Sequence, residues 1–285
     1  MTTNDGGSSG VDSTSTGCDE KRHIIIDCDP GVDDAEAIIL ALSQPKEQLE
    51  IVAITCVSGN TSVDNASNNA LRVLKRWNRL DVPVFRGAHC ALLHDTTTKR
   101  VDAEFIHGQD GFGDISELVP VDSSLMQKEN AVSALLRIVA AKPGKITLVA
   151  MGPLTNIALA LRLDIDFGAK LRDLVIMGST LADTGNMRNL LNAEFNFGSD
   201  PEAASIVLRQ ARCSVTLVPF DTCLRAALPW EWRIKWLSSN STKADFIQRI
   251  DENTIRRRQA NKGSAASGFC SCDLFAMAYT TRSNT

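Results

Sequence analysis

Apolar runs alternate with periodic stretches along most of the chain. Ile24-Ile25-Ile26 is a β-branched run that suits a buried strand. Pro30-Gly31 breaks it, and from Asp34 on Ala35, Ala37, Ile38, Ala41 and Leu42 keep a helical spacing. The alternation then repeats. Residues 51–57 predict a second strand, 63–79 a helix with Ala66, Ala70, Leu71 and Leu74 on one face, and 82–85 a short strand. Residues 86–121 carry no strong period. Beyond them the pattern predicts a helix over 130–141, a strand over 145–150, a helix from Thr155 and a strand over 173–178. Asp200-Pro201 reads as an N-cap with proline in the first turn of a helix. A strand over 214–219, a charged amphipathic helix over 243–262 and a helix opening at Asp273 follow.

Strands that are continuously apolar, separated by helices, predict an α/β fold with a mostly parallel central sheet covered on both faces. No internal repeat or linker divides residues 23–285, so one domain is expected there. Residues 1–22 are Gly, Ser, Thr and Asp with almost no apolar content, and are expected to be a disordered tail.

Composition narrows the function classes. With 30 basic and 34 acidic residues the net charge is −4, and no basic stripe points to nucleic acid. The run Arg256-Arg257-Arg258 reads as a solvated helix face. No stretch approaches the ~18 apolar residues of a membrane span, and no apolar leader opens the chain. A cytoplasmic protein with its eight cysteines reduced is expected. Cys270-Ser271-Cys272 has no second pair or nearby histidine, so zinc is not expected there.

The chemistry concentrates after the first strand. Asp27, Asp29, Asp33 and Asp34 fall within eight residues, at the carboxyl end of a strand where open α/β sheets bind ligands. One or two acids there would cap a helix and answer its dipole. Four repel one another, and a hard divalent cation with oxygen ligands relieves that. Asn60 stands at the end of the second strand in the same way. His107 lies in a glycine-rich stretch, 107–113, which reads either as a functional loop or as ordinary surface.

The segment Asp27-Cys28-Asp29-Pro30-Gly31-Val32-Asp33-Asp34-Ala35 resembles the signature of the calcium-dependent nucleoside hydrolases of the inosine–uridine-preferring type. Gly59-Asn60, Met151-Gly152-Pro153-Leu154-Thr155-Asn156, Met177-Gly178, Gly185-Asn186, Ala193-Glu194-Phe195-Asn196 and Cys272-Asp273 resemble further family segments, in the family's order. The resemblance implies a Rossmann-like core and hydrolysis of the N-glycosidic bond of purine or pyrimidine ribonucleosides. It implies a Ca2+ ion held by Asp29, Asp34, Asp273 and the main-chain carbonyl of Met151. Asp33 would be the general base on a calcium-bound water, with Asp27 supporting the acidic loop. Asn60, Met177, Asn186, Glu194 and Asn196 would bind the ribose. A homodimer or homotetramer is implied as well.

Two departures accompany the likeness. Cys272 stands where the well-studied members carry a histidine as acid for the leaving base, so Cys272 or His107 is expected to serve the leaving group. The family also continues past its last motif with a closing helix and strand, which this chain is expected to lack. Two other readings follow. One is a homologue that binds metal and ribose without turnover. The other is a haloacid-dehalogenase-type phosphatase, with Asp27 as nucleophile, Asp29 as acid/base and magnesium as the metal.

Overall fold

The computed structural model describes residues 21–93, 106–115, 119–182, 185–187, 192–260 and 268–282. The tail expected over residues 1–22 lies outside the described residues up to residue 20. So do Cys18 and His94, and the side chains of Arg257 and Arg258.

Six strands are joined by helices: β1 Arg22–Cys28, β2 Leu49–Cys56, β3 Val84–Arg86, β4 Ile146–Ala150, β5 Asp173–Met177 and β6 Ser214–Val218. They form one sheet in the order β3-β2-β1-β4-β5-β6, and every pairing is parallel. The order reverses at β1, which pairs with β2 on one edge and β4 on the other. Such a reversal leaves a crevice at the carboxyl ends of the strands, because the connections leave in opposite directions.

The helices are α1 Val32–Leu42, α2 Val63–Arg76, α3 Ala131–Ala141, α4 Thr155–Leu163, α5 Phe167–Lys170, α6 Phe195–Ser199, α7 Pro201–Gln210, α8 Phe220–Arg225, α9 Trp230–Leu237, α10 Thr242–Ala260 and α11 Cys272–Thr281. They cover both faces. Alternation along β1 divides the core, since successive side chains point to opposite sides of a strand. Ile24 and Ile26 pack into a layer with α1, α2 and α11 residues such as Ile38, Leu71 and Ala276. Ile25 packs into the opposite layer with Leu135, Ile157 and Val207 of α3, α4 and α7. All three isoleucines are fully buried. Each stabilises the sheet by roughly 2–3 kcal/mol.

The expected α/β architecture is present, with corrections at element ends. The helix expected to reach Arg79 stops at Arg76, because Asn78 turns left-handed at φ 56°. The strand expected from Val82 starts at Val84; Pro83 has no N–H to give a neighbour, although its carbonyl accepts from Ile54 N. Asp200 caps α7 as expected, accepting from Ala203 N. Among the described residues, no helix is long and apolar enough to cross a membrane.

Candidate functional site

The acidic loop is folded by its own carboxylates. Asp34, in the first turn of α1, accepts from Gly31 N at 3.0 Å and from Asp29 N at 3.3 Å, so it reaches back and closes the turn that Pro30-Gly31 opens. The loop after β2 is laid against it. Asn60 N donates to Asp29 Oδ2 at 2.6 Å, and Asn60 Nδ2 donates to Asp34 Oδ2 at 3.0 Å. That close approach requires Gly59: a Cβ there would lie 1.9 Å from Asp29 Oδ2.

Asp273, in the first turn of α11, completes the group. Carboxylate oxygens of Asp33, Asp34 and Asp273 all lie within 4.8 Å of one another. Asp29 joins them through its N–H on Asp34, and Oδ1 of Asp29 and Oδ1 of Asp33 are both buried without a hydrogen-bond partner. Burial raises Asp34 to about 7, helped by the charge of Asp33. Burial also pushes Asp29 and Asp273 well above the usual carboxylate range, and the neighbouring acids push them further. Hard oxygen donors, mutual repulsion and an orphaned buried oxygen fit a divalent cation of the calcium or magnesium type.

Asp27 does something else. It is fully buried at the end of β1, on the face opposite Ile26, and its Oδ2 accepts from Thr55 Oγ1 at 2.6 Å and Asn156 Nδ2 at 2.9 Å. Burial raises it to about 6 against those two bonds. Asn156 also donates to Cys56 O and accepts from Ala88 N, so one side chain ties β1, β2 and the segment after β3 together. The Asp27 main-chain carbonyl accepts from Met151 N at 2.8 Å, which fixes the loop after β4. A residue so enclosed is no exposed nucleophile, which removes the phosphatase reading.

The expected sugar-binding segment meets the acidic group through Asn196. Its Nδ2 donates to Met151 O at 2.9 Å and Met177 O at 3.2 Å. Met151 O therefore faces the site with one of its two lone pairs used. Glu194 caps α6, accepting from Asn196 N, Phe197 N and Ser179 N, and burial raises it despite these bonds. Asn186 lies beside Ala193, bonded through its N–H.

The two candidates for the leaving group differ. His107 is buried rather than an ordinary surface residue. Its Nδ1 accepts from Val32 N at 3.2 Å, which leaves the ring proton on Nε2, 3.9 Å from Asp33 Oδ1. A cavity of about 10 Å³, the size of one water, lies against both residues and is also lined by Glu36, Asp251 and Ser271. Cys272 is buried with its sulfur 3.9 Å from Cys270. A bond with Cys223 raises its thiol well above the ordinary range; Cys270 opposes this and burial adds to it. Every cysteine among the described residues is a free thiol. Thr55, Asn156 and Ser179 were not singled out for the site from sequence. The visible signal for the first two is a polar residue inside an otherwise apolar element.

Comparison with known proteins gives the family. Residues 24–285 match the profile of the family described as Inosine-uridine preferring nucleoside hydrolase. The chain is 38% identical over 231 residues to the probable uridine nucleosidase 2 of Arabidopsis thaliana, covering 81% of this chain and 69% of that protein. It is 39% identical over 220 residues to the non-specific ribonucleoside hydrolase RihC of Salmonella newport (strain SL254), covering 77% and 68%. Among solved structures, the purine-preferring ribonucleoside hydrolase from Gardnerella vaginalis superposes with a TM-score of 0.82 at 29% identity, over 91% of this chain and 80% of that one.

Proposed function

As a member of the inosine-uridine preferring nucleoside hydrolase family the chain cleaves the N-glycosidic bond of nucleosides, and we propose that Asp33 takes the proton of the attacking water while His107 hydrogen-bonds the departing base. The observation that supports this is their adjacency, Nε2 to Oδ1 at 3.9 Å, at the rim of the Asp33-Asp34-Asp273 cluster. Asp33 is the only member of that cluster that is not fully or nearly buried, so it is the carboxylate a water can reach.

Asp29, Asp34, Asp273 and the Met151 carbonyl would hold a calcium ion. Bound there, the ion supplies positive charge that orients the vicinal hydroxyls of the ribose and the attacking water. The remaining steps belong to the chain. Asp33 takes the proton of the water as its oxygen approaches C1′. The anionic cluster stabilises the positive charge that develops on the sugar as the bond to the base lengthens. His107 presents Nε2–H as a hydrogen bond to the departing base, which leaves with that support and takes its proton from solvent afterwards. Cys272, a neutral thiol, is a much weaker donor, and its place is to pack α11 against Cys223 and Cys270. Asn60, Glu194 and Asn196 hold the sugar in line, and Asp27 keeps the loops after β1 and β4 in register.

Asp29 is a second reading for the base, since its Oδ1, like that of Asp33, is buried without a hydrogen-bond partner. Asp33→Asn and Asp29→Asn separate the two. If Asp33 is the base, D33N loses turnover and keeps calcium, whereas D29N loses both. A homodimer or homotetramer in the cytoplasm goes with the same proposal, and sedimentation velocity measures the assembly.

The direct test is release of base and ribose from a panel of purine and pyrimidine ribonucleosides. Release with calcium, loss with excess chelator and restoration on adding calcium back are expected. No release by folded protein that binds calcium would overturn the proposed chemistry and favour a metal- and ribose-binding homologue without turnover.

A further inference from the structure

Asn69 lies in the middle of α2, on the face that also buries Ala66, Ala70 and Val73, and it is fully buried. An amide there is costly unless its hydrogen bonds are made. Its Nδ2 donates to Pro30 O at 2.9 Å and to Asp110 O at 2.8 Å. Its Oδ1 accepts from Arg72 Nη1 at 2.6 Å. A guanidinium only donates, so Arg72 decides which end of the amide faces it and leaves both N–H bonds for the two carbonyls. Arg72 is itself held by its Nε bond to Val119 O at 3.3 Å.

The two carbonyls belong to different loops. Pro30 lies in the acidic loop, next to the Gly31 N–H that Asp34 accepts. Asp110 lies in the loop that carries His107. That loop is folded by Asp110 Oδ1, which accepts from Phe112 N at 2.7 Å and Asp114 N at 3.0 Å, and closed by Gly113 N on His107 O at 2.7 Å. The loops press together at a glycine on each side. A Cβ on Gly111, at φ 85°, would lie 2.8 Å from Asn69 Nδ2 and 2.9 Å from Pro30 O, and one on Gly31 would lie 2.7 Å from His107 Nδ1. Thr61 and Thr254 hold the His107 loop from other sides, through Gln109 O and Ile106 O. Asn69 is the residue that refers it to the acidic loop.

We propose that Asn69 is a positioning residue for the reaction, setting where His107 Nε2 stands relative to Asp33. This rests on the reading above, in which His107 hydrogen-bonds the departing base and Asp33 takes the proton of the water. Two groups that act on one substrate from two loops need a fixed separation, and a misplacement of about 1 Å costs up to about 10²-fold in rate. The acidic loop keeps its shape through Asp34 and Asn60, so the loss of Asn69 falls on the position of His107.

The experiment compares wild type, Asn69→Asp, Arg72→Met, His107→Ala and the double variants of N69D and of R72M with H107A. Asn68→Ala, next along α2 and bonded at the surface to Ser123, is the control. N69D turns carboxylate oxygen toward the Pro30 and Asp110 carbonyls while keeping a partner for Arg72. Steady-state kinetics is run with calcium on a ribonucleoside and on p-nitrophenyl riboside, whose leaving group needs no help, and calcium is titrated calorimetrically. N69D is expected to lower kcat on the nucleoside about tenfold with KM changed no more than about threefold. On p-nitrophenyl riboside its loss, and its loss of calcium affinity, should stay within about threefold. R72M should follow in the same direction by a smaller factor, and N68A should match wild type. Each double variant should be no slower than H107A by more than about twofold, because the residue acts through His107. A merely structural role would add its loss to that of H107A and reach both substrates alike. The inference alone fails if N69D keeps wild-type turnover, if its loss adds to that of H107A, or if calcium affinity falls with turnover. If N69D does not fold, R72M and its double variant decide by the same comparison. If H107A loses equally on both substrates, the reading of His107 fails and takes this inference with it.

Discussion

His107 and Asp33 meet ring to carboxylate, Nε2 to Oδ1, at 3.9 Å, and the Val32 N–H on Nδ1 decides which way the ring is turned. The backbone of α1 therefore sets the tautomer of a side chain that comes from a different loop. The Nε2–H is left as a hydrogen-bond donor, because the other nitrogen is already an acceptor.

His107→Ala is expected to lower kcat on ordinary nucleosides by about 10²-fold, the usual share of one positioned hydrogen-bond donor at developing charge. On p-nitrophenyl riboside, whose leaving group departs without a proton, the loss should be no more than a few-fold. Steady-state kinetics on both substrates gives the comparison. Equal losses on the two would mean that His107 only shapes the loop.

Asp33 and Asp273 are expected to fail in different ways. Asp33→Asn should lose turnover by at least about 10²-fold and keep calcium affinity within about tenfold. Asp273→Ala should lose calcium affinity itself, since Asp273, unlike Asp33, is among the carboxylates proposed to hold the ion. Isothermal titration with calcium, run beside the activity assay, separates the two. Identical behaviour of both variants would mean that the assigned roles are wrong.

The acidic cluster predicts an inverted pH dependence of stability without calcium. Asp27 is raised to about 6 and Asp34 to about 7, against an ordinary value near 3.9 in the unfolded chain. Between those values the folded protein binds more protons than the unfolded one, so stability falls as pH rises. In chelator, the urea midpoint should drop steadily from about pH 4 to pH 7. Excess calcium should remove most of the slope. A chelated protein that gained stability over that range would contradict the burial of these acids.

Asn156→Ala is expected to cost about 2–4 kcal/mol, since it leaves a cavity and three polar partners short of a bond. The loss should be larger at pH 8 than at pH 5. Asp27 is then charged more of the time, and it has lost one of the two bonds that hold its value down. Urea denaturation at both pH values is the measurement. A pH-independent loss would show that Asn156 acts on the loops and not on Asp27.

The strands and long helices were legible because their apolar positions keep a period, as in Ile24-Ile25-Ile26 or Ala66, Ala70 and Leu71. The acidic loop was legible because four carboxylates so close together have few structural uses. What escaped was set by contacts between distant residues. Asn156 reads as an ordinary helix residue until β1 brings Asp27 beneath it. His107 sits in a stretch with no period, and only the fold carries it to Val32 N. Ser179 gives no hint of its left-handed backbone, at φ 70°, because Glu194 and Phe220 impose it from other elements. The short helices α6 and α8 are too brief for a period to show. The stop of α2 depends on one asparagine turning left-handed at 78.

Asp273 rides on α11, and α11 packs against α1, which carries Asp33 and Asp34. The site is thus framed by the first helix of the fold and a helix near the far end of the sequence. A nascent chain still on the ribosome holds the early carboxylates but not the one that closes the ring. Under the proposed chemistry, a chain that has not yet reached Asp273 would leave nucleosides uncleaved. A protease that cuts ahead of α11 would silence the enzyme by the reverse route, without first dismantling the sheet.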